Sequence, residues 1–224
     1  MAEPNPEELF NLGMLSYDKQ DFSKARKYFE RACGLNNGGG CGALGDLYDD
    51  VEKNLIKAAQ FYSKACGLKD GRGCFNLGRL YYFGEGVEKN LTKATQYLSK
   101  ACDLNNGGGC SNLGVLYQNG QVVEKNLTKA AYLYSKACDL NNGGGCSNLG
   151  VLYQNGQVVE KNLTKAAYLY SKACDLKEGF GCGALAVLYI NGQGVEKNLT
   201  KADQYISKAC KLGDQEACEA LKEK

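Results

Sequence analysis

Apolar residues along this chain recur in two alternating helical patterns. The first is clearest in CSNLGVLYQNG, where Leu113, Leu116 and Tyr117 stand at i, i+3 and i+4. The second follows in NLTKAAYLYSKAC, where Leu127, Ala130, Ala131, Tyr134, Ala137 and Cys138 share one helical face. Asn126 precedes that face and is predicted to cap it, because an Asn side chain accepts from the free N–H groups of a first turn. The run NNGGG after it is predicted to end the helix by supplying positive-φ residues.

The repetition is literal in places. Ser99–Leu140 and Ser135–Leu176 are identical at an offset of 36. Six C-x7-C pairs begin at 33, 66, 102, 138, 174 and 210, so the step is 33 once and 36 thereafter. A period of this size points to a solenoid of helix pairs. One pair cannot bury its apolar face alone, so the units stack and cover each other's cores.

Twelve cysteines at strict spacing read as a disulfide framework, which implies an oxidising compartment. A four-thiolate zinc site is the rival, although no CxxC occurs and the chain has no histidine. The predicted bridges are Cys33–Cys41, Cys66–Cys74, Cys102–Cys110, Cys138–Cys146, Cys174–Cys182 and Cys210–Cys218. Each would staple one unit to the next across a glycine-rich joint, worth about 2.5 kcal/mol in the chain-entropy picture. The expected location is secreted or periplasmic, with the export signal absent from this chain: MAEPNPEELF has neither a basic start nor an apolar core.

Charge narrows the partners. Lys and Arg number 27 against 25 acidic residues, evenly spread, which is not a nucleic-acid footprint. No apolar run is long enough to span a bilayer. A monomer without cofactor or metal is expected. Catalytic signals are weak. The one SxxK is Ser16–Lys19, without SDN or KTG partners, and a cysteine nucleophile would lack a histidine base. The Asn-Leu-Thr triplets at 90, 126, 162 and 198 match the glycosylation pattern, but capping is the better reading.

The blocks NLG, LY, GxGVEKN, KA and SKAC, all present from Cys74 to Cys102, resemble the Sel1-like repeat and, more narrowly, its secreted cysteine-rich bacterial branch. The first unit, LFNLGMLSYDKQDFSKARKYFERAC, is shorter and looks like a tetratricopeptide repeat: Leu12 to Cys33 is 21 residues, against 25 from Leu113 to Cys138. The second unit is intermediate at 22 from Leu44 to Cys66, and a different bend is expected near Asp49–Val51. The resemblance implies an all-α fold, a right-handed α-solenoid of stacked antiparallel helix pairs. It would form one repeat domain over 1–224, with units at 5–35, 41–66, 74–102, 110–138, 146–174 and 182–210 and a capping helix at 214–224. That branch often carries a β-lactamase or penicillin-binding label, which none of the motifs here supports.

The resemblance also implies a concave groove lined by the first helices, where an Asn ahead of Leu-Gly holds the backbone of an extended peptide. Those positions are Asn11, Asn76, Asn112 and Asn148, interrupted by Ala43 and Ala184. Bonding of these amides within the repeat is an equally open reading. Neighbouring outward positions are Asp46, Asp49 and Asp50 in the second unit and Ser111, Val115 and Gln118 in the duplicated ones. In the third unit Phe75, Arg79, Tyr82 and Phe83 combine aromatic rings with arginine, the common chemistry of binding anchors. The recurrent Tyr48, Tyr81, Tyr117, Tyr153 and Tyr189 are expected in the core. The function expected is a disulfide-stapled extracytoplasmic scaffold that binds a protein or extended peptide. The alternatives are a β-lactam-binding or weakly β-lactam-hydrolysing protein, and an engineered repeat scaffold without a natural ligand.

Overall fold

A computed structural model of the chain describes residues 5–122, 124–158 and 160–222, and every regular element among them is a helix. The chain divides into two compact bodies, residues 1–109 and 110–224. The first contains α1 (Pro6–Asp18), α2 (Phe22–Gly34), α3 (Gly38–Asp46) running into a π-helical turn (Leu47–Val51), α4 (Leu55–Gly67), α5 (Gly71–Phe83) and α6 (Leu91–Asp103). The boundary falls after the first three residues of α7 (Gly107–Asn119), and the second body holds the rest of that helix with α8 (Leu127–Asp139), α9 (Gly143–Asn155), α10 (Leu163–Asp175), α11 (Gly179–Asn191), α12 (Leu199–Lys211) and α13 (Gln215–Lys222). Within each body, helices adjacent in sequence pack as pairs and the pairs stack, the architecture of an α-solenoid.

Local chemistry sets the helix starts. Asn54, Asn90, Asn126, Asn162 and Asn198 cap the second helices, each accepting from the backbone N–H three residues on at 2.9–3.1 Å. The first helices are capped by Asn37, Asp70, Asn106, Asn142 and Glu178, at 2.6–2.8 Å.

The glycines of NNGGG have a different role from the one their sequence suggests. The positive φ that ends α2, α4, α6, α8 and α10 belongs to Asn36, Lys69, Asn105, Asn141 and Lys177, and of the second helices only α12 is followed by a glycine in this role, Gly213. The three glycines form the first turn of the next helix instead. Close approach is the reason. A Cβ on Gly40, Gly73, Gly109, Gly145 or Gly181 would sit 2.5–2.7 Å from the Cβ of Ala32, Ala65, Ala101, Ala137 or Ala173. That contact brings the flanking cysteines together. Bridges join Cys33–Cys41, Cys66–Cys74, Cys138–Cys146, Cys174–Cys182 and Cys210–Cys218, with Cα atoms 4.5–4.6 Å apart. Cys102 and Cys110 are also disulfide-bonded, and no cysteine is free, which removes the zinc reading.

A second close approach fills the core. Four residues before each second-helix cysteine stand Phe29, Tyr62, Leu98, Tyr134, Tyr170 and Ile206. The first five lie on Gly13, Gly45, Gly78, Gly114 and Gly150, where an added Cβ would come within 2.4–3.0 Å of the side chain. The sixth, Ile206, shares its cluster with Ala186, which takes the glycine's place. Tyr62, Tyr134 and Tyr170 are the largest fully buried side chains.

The second unit absorbs its three-residue shortening in the π-helical turn, where Glu52 N–H donates to Leu47 O at 3.2 Å. The loop closure survives. Asn54 N–H donates to Tyr48 O at 2.7 Å, just as Asn90 does to Tyr81 O at 2.8 Å across a loop three residues longer.

Candidate functional site

The π-helical turn carries Asp49 and Asp50, close behind Asp46 at the end of α3. A cleft of about 210 Å³ there is lined by Met14 and Tyr17 of α1, Phe29 of α2, Asp46 of α3, Asp50 of the turn and Arg72 of α5. Asp46 is its hub. Its carboxylate accepts from Tyr62 Oη at 2.9 Å and from Asn76 Nδ2 at 3.1 Å, and it is ion-paired with Arg72. Tyr62 also reaches Asp49 Oδ2 at 3.4 Å. Burial raises the Tyr62 hydroxyl far above its ordinary range, and the charges of Asp49 and Asp50 add to this, while Arg79 opposes it. The phenol therefore stays a neutral donor.

The second body solves the same problem without charge. Tyr134 Oη donates to Gln118 Oε1 and Tyr170 Oη to Gln154 Oε1, both at 2.7 Å. Burial alone raises both phenols, Tyr170 to about 12. Gln118 and Gln154 thus serve buried tyrosines. Ser111 and Ser147 are not outward either: both are buried, and Ser147 donates to Glu178 Oε2 at 2.5 Å. The position beside the cysteine faces the next unit's helix start, and there Ser147 finds the capping carboxylate of Glu178.

The residues singled out from sequence separate into distinct settings. Asn11 is exposed, Asn112 and Asn148 are half-buried, and Asn76 donates to Asp46 inside the fold. Phe75 is half-buried against the cluster of Cys66, Cys74 and Ala101. Arg79 and Tyr82 are half-buried, whereas Phe83 is 58% exposed and lies edge-on to the Tyr82 ring at 4.9 Å. Of the recurrent tyrosines only Tyr48 is buried. Tyr81, Tyr117, Tyr153 and Tyr189 are half-buried, each with a lysine ammonium 4.3–5.4 Å from its ring centre, because that Lys begins the paired helix beside the ring. Ser16 directs its hydroxyl at Leu12 O of its own helix, at 2.9 Å.

Arg72 and Phe180 escape a reading by motif. Both occupy a position that is glycine in Gly39, Gly108 and Gly144. Alignment of the units in register, rather than periodicity, reveals them. Arg72 neutralises Asp46, and Phe180, 49% exposed, lies edge-on to Tyr170.

Comparison with known proteins agrees with this architecture. The Sel1 repeat model matches residues 40–70, 71–106, 108–142, 144–178 and 180–214, and a tetratricopeptide repeat model matches residues 6–38. A Sel1 repeat protein from Oxalobacter formigenes has the same fold with a TM-score of 0.84, at 25% identity, over 95% of this chain and 86% of that one. The c5321 protective antigen of uropathogenic Escherichia coli follows at a TM-score of 0.80 and 25% identity, over 95% of this chain and 47% of that one. Helicobacter pylori (strain J99) HcpC is 55% identical over 58 residues, 25% of this chain and 20% of that protein. The beta-lactamase HcpA of the same strain is 50% identical over 50 residues, 22% of this chain and 20% of that protein. The matched stretches thus span about a fifth of those two relatives.

Proposed function

Because this chain belongs to the Sel1 repeat family, we propose that it is a binding scaffold for a protein or an extended peptide, which it holds on the face of its first helices. One observation carries the reading. Capping asparagines, core glycines and cysteines recur from unit to unit, while positions in register on the first helices change character. They read Arg79 and Tyr82 in the third unit, Val151 in the fifth and Val187 and Ile190 in the sixth, while Asp46 and Gln154 at the same positions serve buried tyrosines. A constant frame with a varied face suits recognition.

The disulfides support an oxidising, extracytoplasmic setting, since thiols stay reduced in the cytosol. The β-lactamase name belongs to relatives matched over a fifth of their length, and Ser16 is tied to its own helix, so binding is the preferred reading.

Calorimetric titration with a peptide selected on the immobilised protein tests it. Arg79→Ala or Tyr82→Ala should weaken binding by about 1–3 kcal/mol, as anchors do. Unchanged affinity in both variants would overturn the placement on this face.

A further inference from the structure

The duplicated repeat differs from the other Sel1 repeats at two adjacent positions of its second helix. In the other Sel1 repeats the residue five before the second-helix cysteine is an aromatic preceded by glutamine: Gln60-Phe61, Gln96-Tyr97 and Gln204-Tyr205. Each ring stacks on the recurrent tyrosine of the first helix. Phe61 lies on Tyr48 at 5.4 Å and 2°, Tyr97 on Tyr81 at 5.6 Å and 6°, and Tyr205 on Tyr189 at 5.7 Å and 7°. The duplicated repeat reads Tyr132-Leu133 and Tyr168-Leu169 instead, so the ring has moved one place outward.

In the second body a cleft of about 240 Å³ lies between α8, α9 and α10 at this place. Leu169 and Tyr153 lie in its wall, with Leu169 standing where Tyr205 covers Tyr189 one unit later. Tyr168 is 66% exposed at the rim. The lysine over the Tyr153 ring does not exclude a second partner, because Tyr81 and Tyr189 each carry a lysine and a stacked ring together. A cavity of about 150 Å³ already admits one benzene-sized ring. The rim holds two cations, Lys165 and Lys172, against one carboxylate, Asp139, which lies 4.0 Å from Lys172.

We propose that this groove is a docking site for an aromatic side chain of a protein partner, flanked in that partner by an acidic residue. The aromatic ring would take the place on Tyr153 that the chain's own ring takes in neighbouring repeats, and Lys165 and Lys172 would meet the carboxylate. This site uses Tyr153 together with second-helix residues, not the varied positions of the first helices, and does not depend on those positions.

Amide and methyl NMR titration of the intact protein tests the proposal, with N-acetyl-Asp-Phe-amide and N-acetyl-Lys-Phe-amide as probes. The Asp-Phe probe should shift Leu169 and Tyr153 resonances saturably and bind at least threefold tighter than the Lys-Phe probe at low salt. Added salt should erase that difference, because the rim charges are exposed. The double variant Tyr168→Gln with Leu169→Tyr recreates the Gln-Tyr pair that α12 already accommodates, and it should weaken the Asp-Phe probe at least tenfold. Lys172→Ala should remove the preference between probes while keeping the ring-induced shift. Undiminished binding by the double variant, equal binding of both probes to the native protein, or shifts confined to the first-helix face would each overturn the assignment.

Discussion

The second repeat and the duplicated repeats place the same tyrosine over the same helix glycine, yet they supply different partners for its hydroxyl. Tyr62 donates to the carboxylates of Asp46 and Asp49, and Tyr134 and Tyr170 donate to the amides of Gln118 and Gln154. The charged solution also pairs Asp46 with Arg72, whereas the amide solution uses no ion pair at that position. The packing frame is thus indifferent to the partner's charge as long as the buried donor is satisfied. What differs between regions is the surface that each solution leaves behind.

Four changes would break or sharpen this comparison. The largest effect is expected where the frame is shared. Gly73→Ala and Gly145→Ala each force a Cβ to 2.5 Å from an alanine Cβ and to 3.0–3.1 Å from the backbone nitrogen of Cys66 or Cys138. Each should cost about 3 kcal/mol in denaturant unfolding. Unequal losses would mean that the two regions do not share one frame. Next is the joint itself. Replacing Cys138 and Cys146 by serine should cost about 2.5 kcal/mol. Hydrogen exchange should speed up around α8 and α9 while α1 and α2 keep their protection.

The hydroxyl partners come third. Tyr62→Phe removes a bond to charged groups and should cost about 2 kcal/mol, against about 1 kcal/mol for Tyr134→Phe. Alkali reads the same groups. Because folding raises these phenols above their ordinary value of 10, their stabilisation is complete below pH 10. It declines as pH rises, for Tyr170 through about 12, since only the unfolded chain gives up the proton early. Unfolding free energies measured against pH should fall less steeply above pH 10 in either Phe variant; an unchanged slope would contradict the burial of these hydroxyls. The smallest effect belongs to Gly34→Ala, where nothing lies within 4 Å. It should stabilise by about 0.5 kcal/mol, a helix-propensity gain readable as a raised midpoint.

Much of the fold was legible in the residues themselves. Helix periodicity and Asn caps act over three or four residues, so NLTKA and CSNLG declare their helices without help from elsewhere. The C-x7-C spacing states its own loop. Less legible was the use of NNGGG: glycine suits both a helix end and a close approach, and only the alanine across the joint decides which is needed. The site was less legible still. Phe75, Ser111 and Gln118 stand at plausible outward positions, but a neighbouring cluster, a buried setting and a buried tyrosine claim them.

The sequence alone therefore determined the helices, their caps, the repeat period and the shortened second unit, because these depend on neighbours along the chain. Only the tertiary structure decided which polar side chains are spent inside and which remain for a partner. Tyr62 meets Asp46 across 16 residues, Arg72 meets it across 26, and Ser147 meets Glu178 across 31. Whether a donor is satisfied at such separations depends on how one unit stacks on the next, which no local pattern encodes.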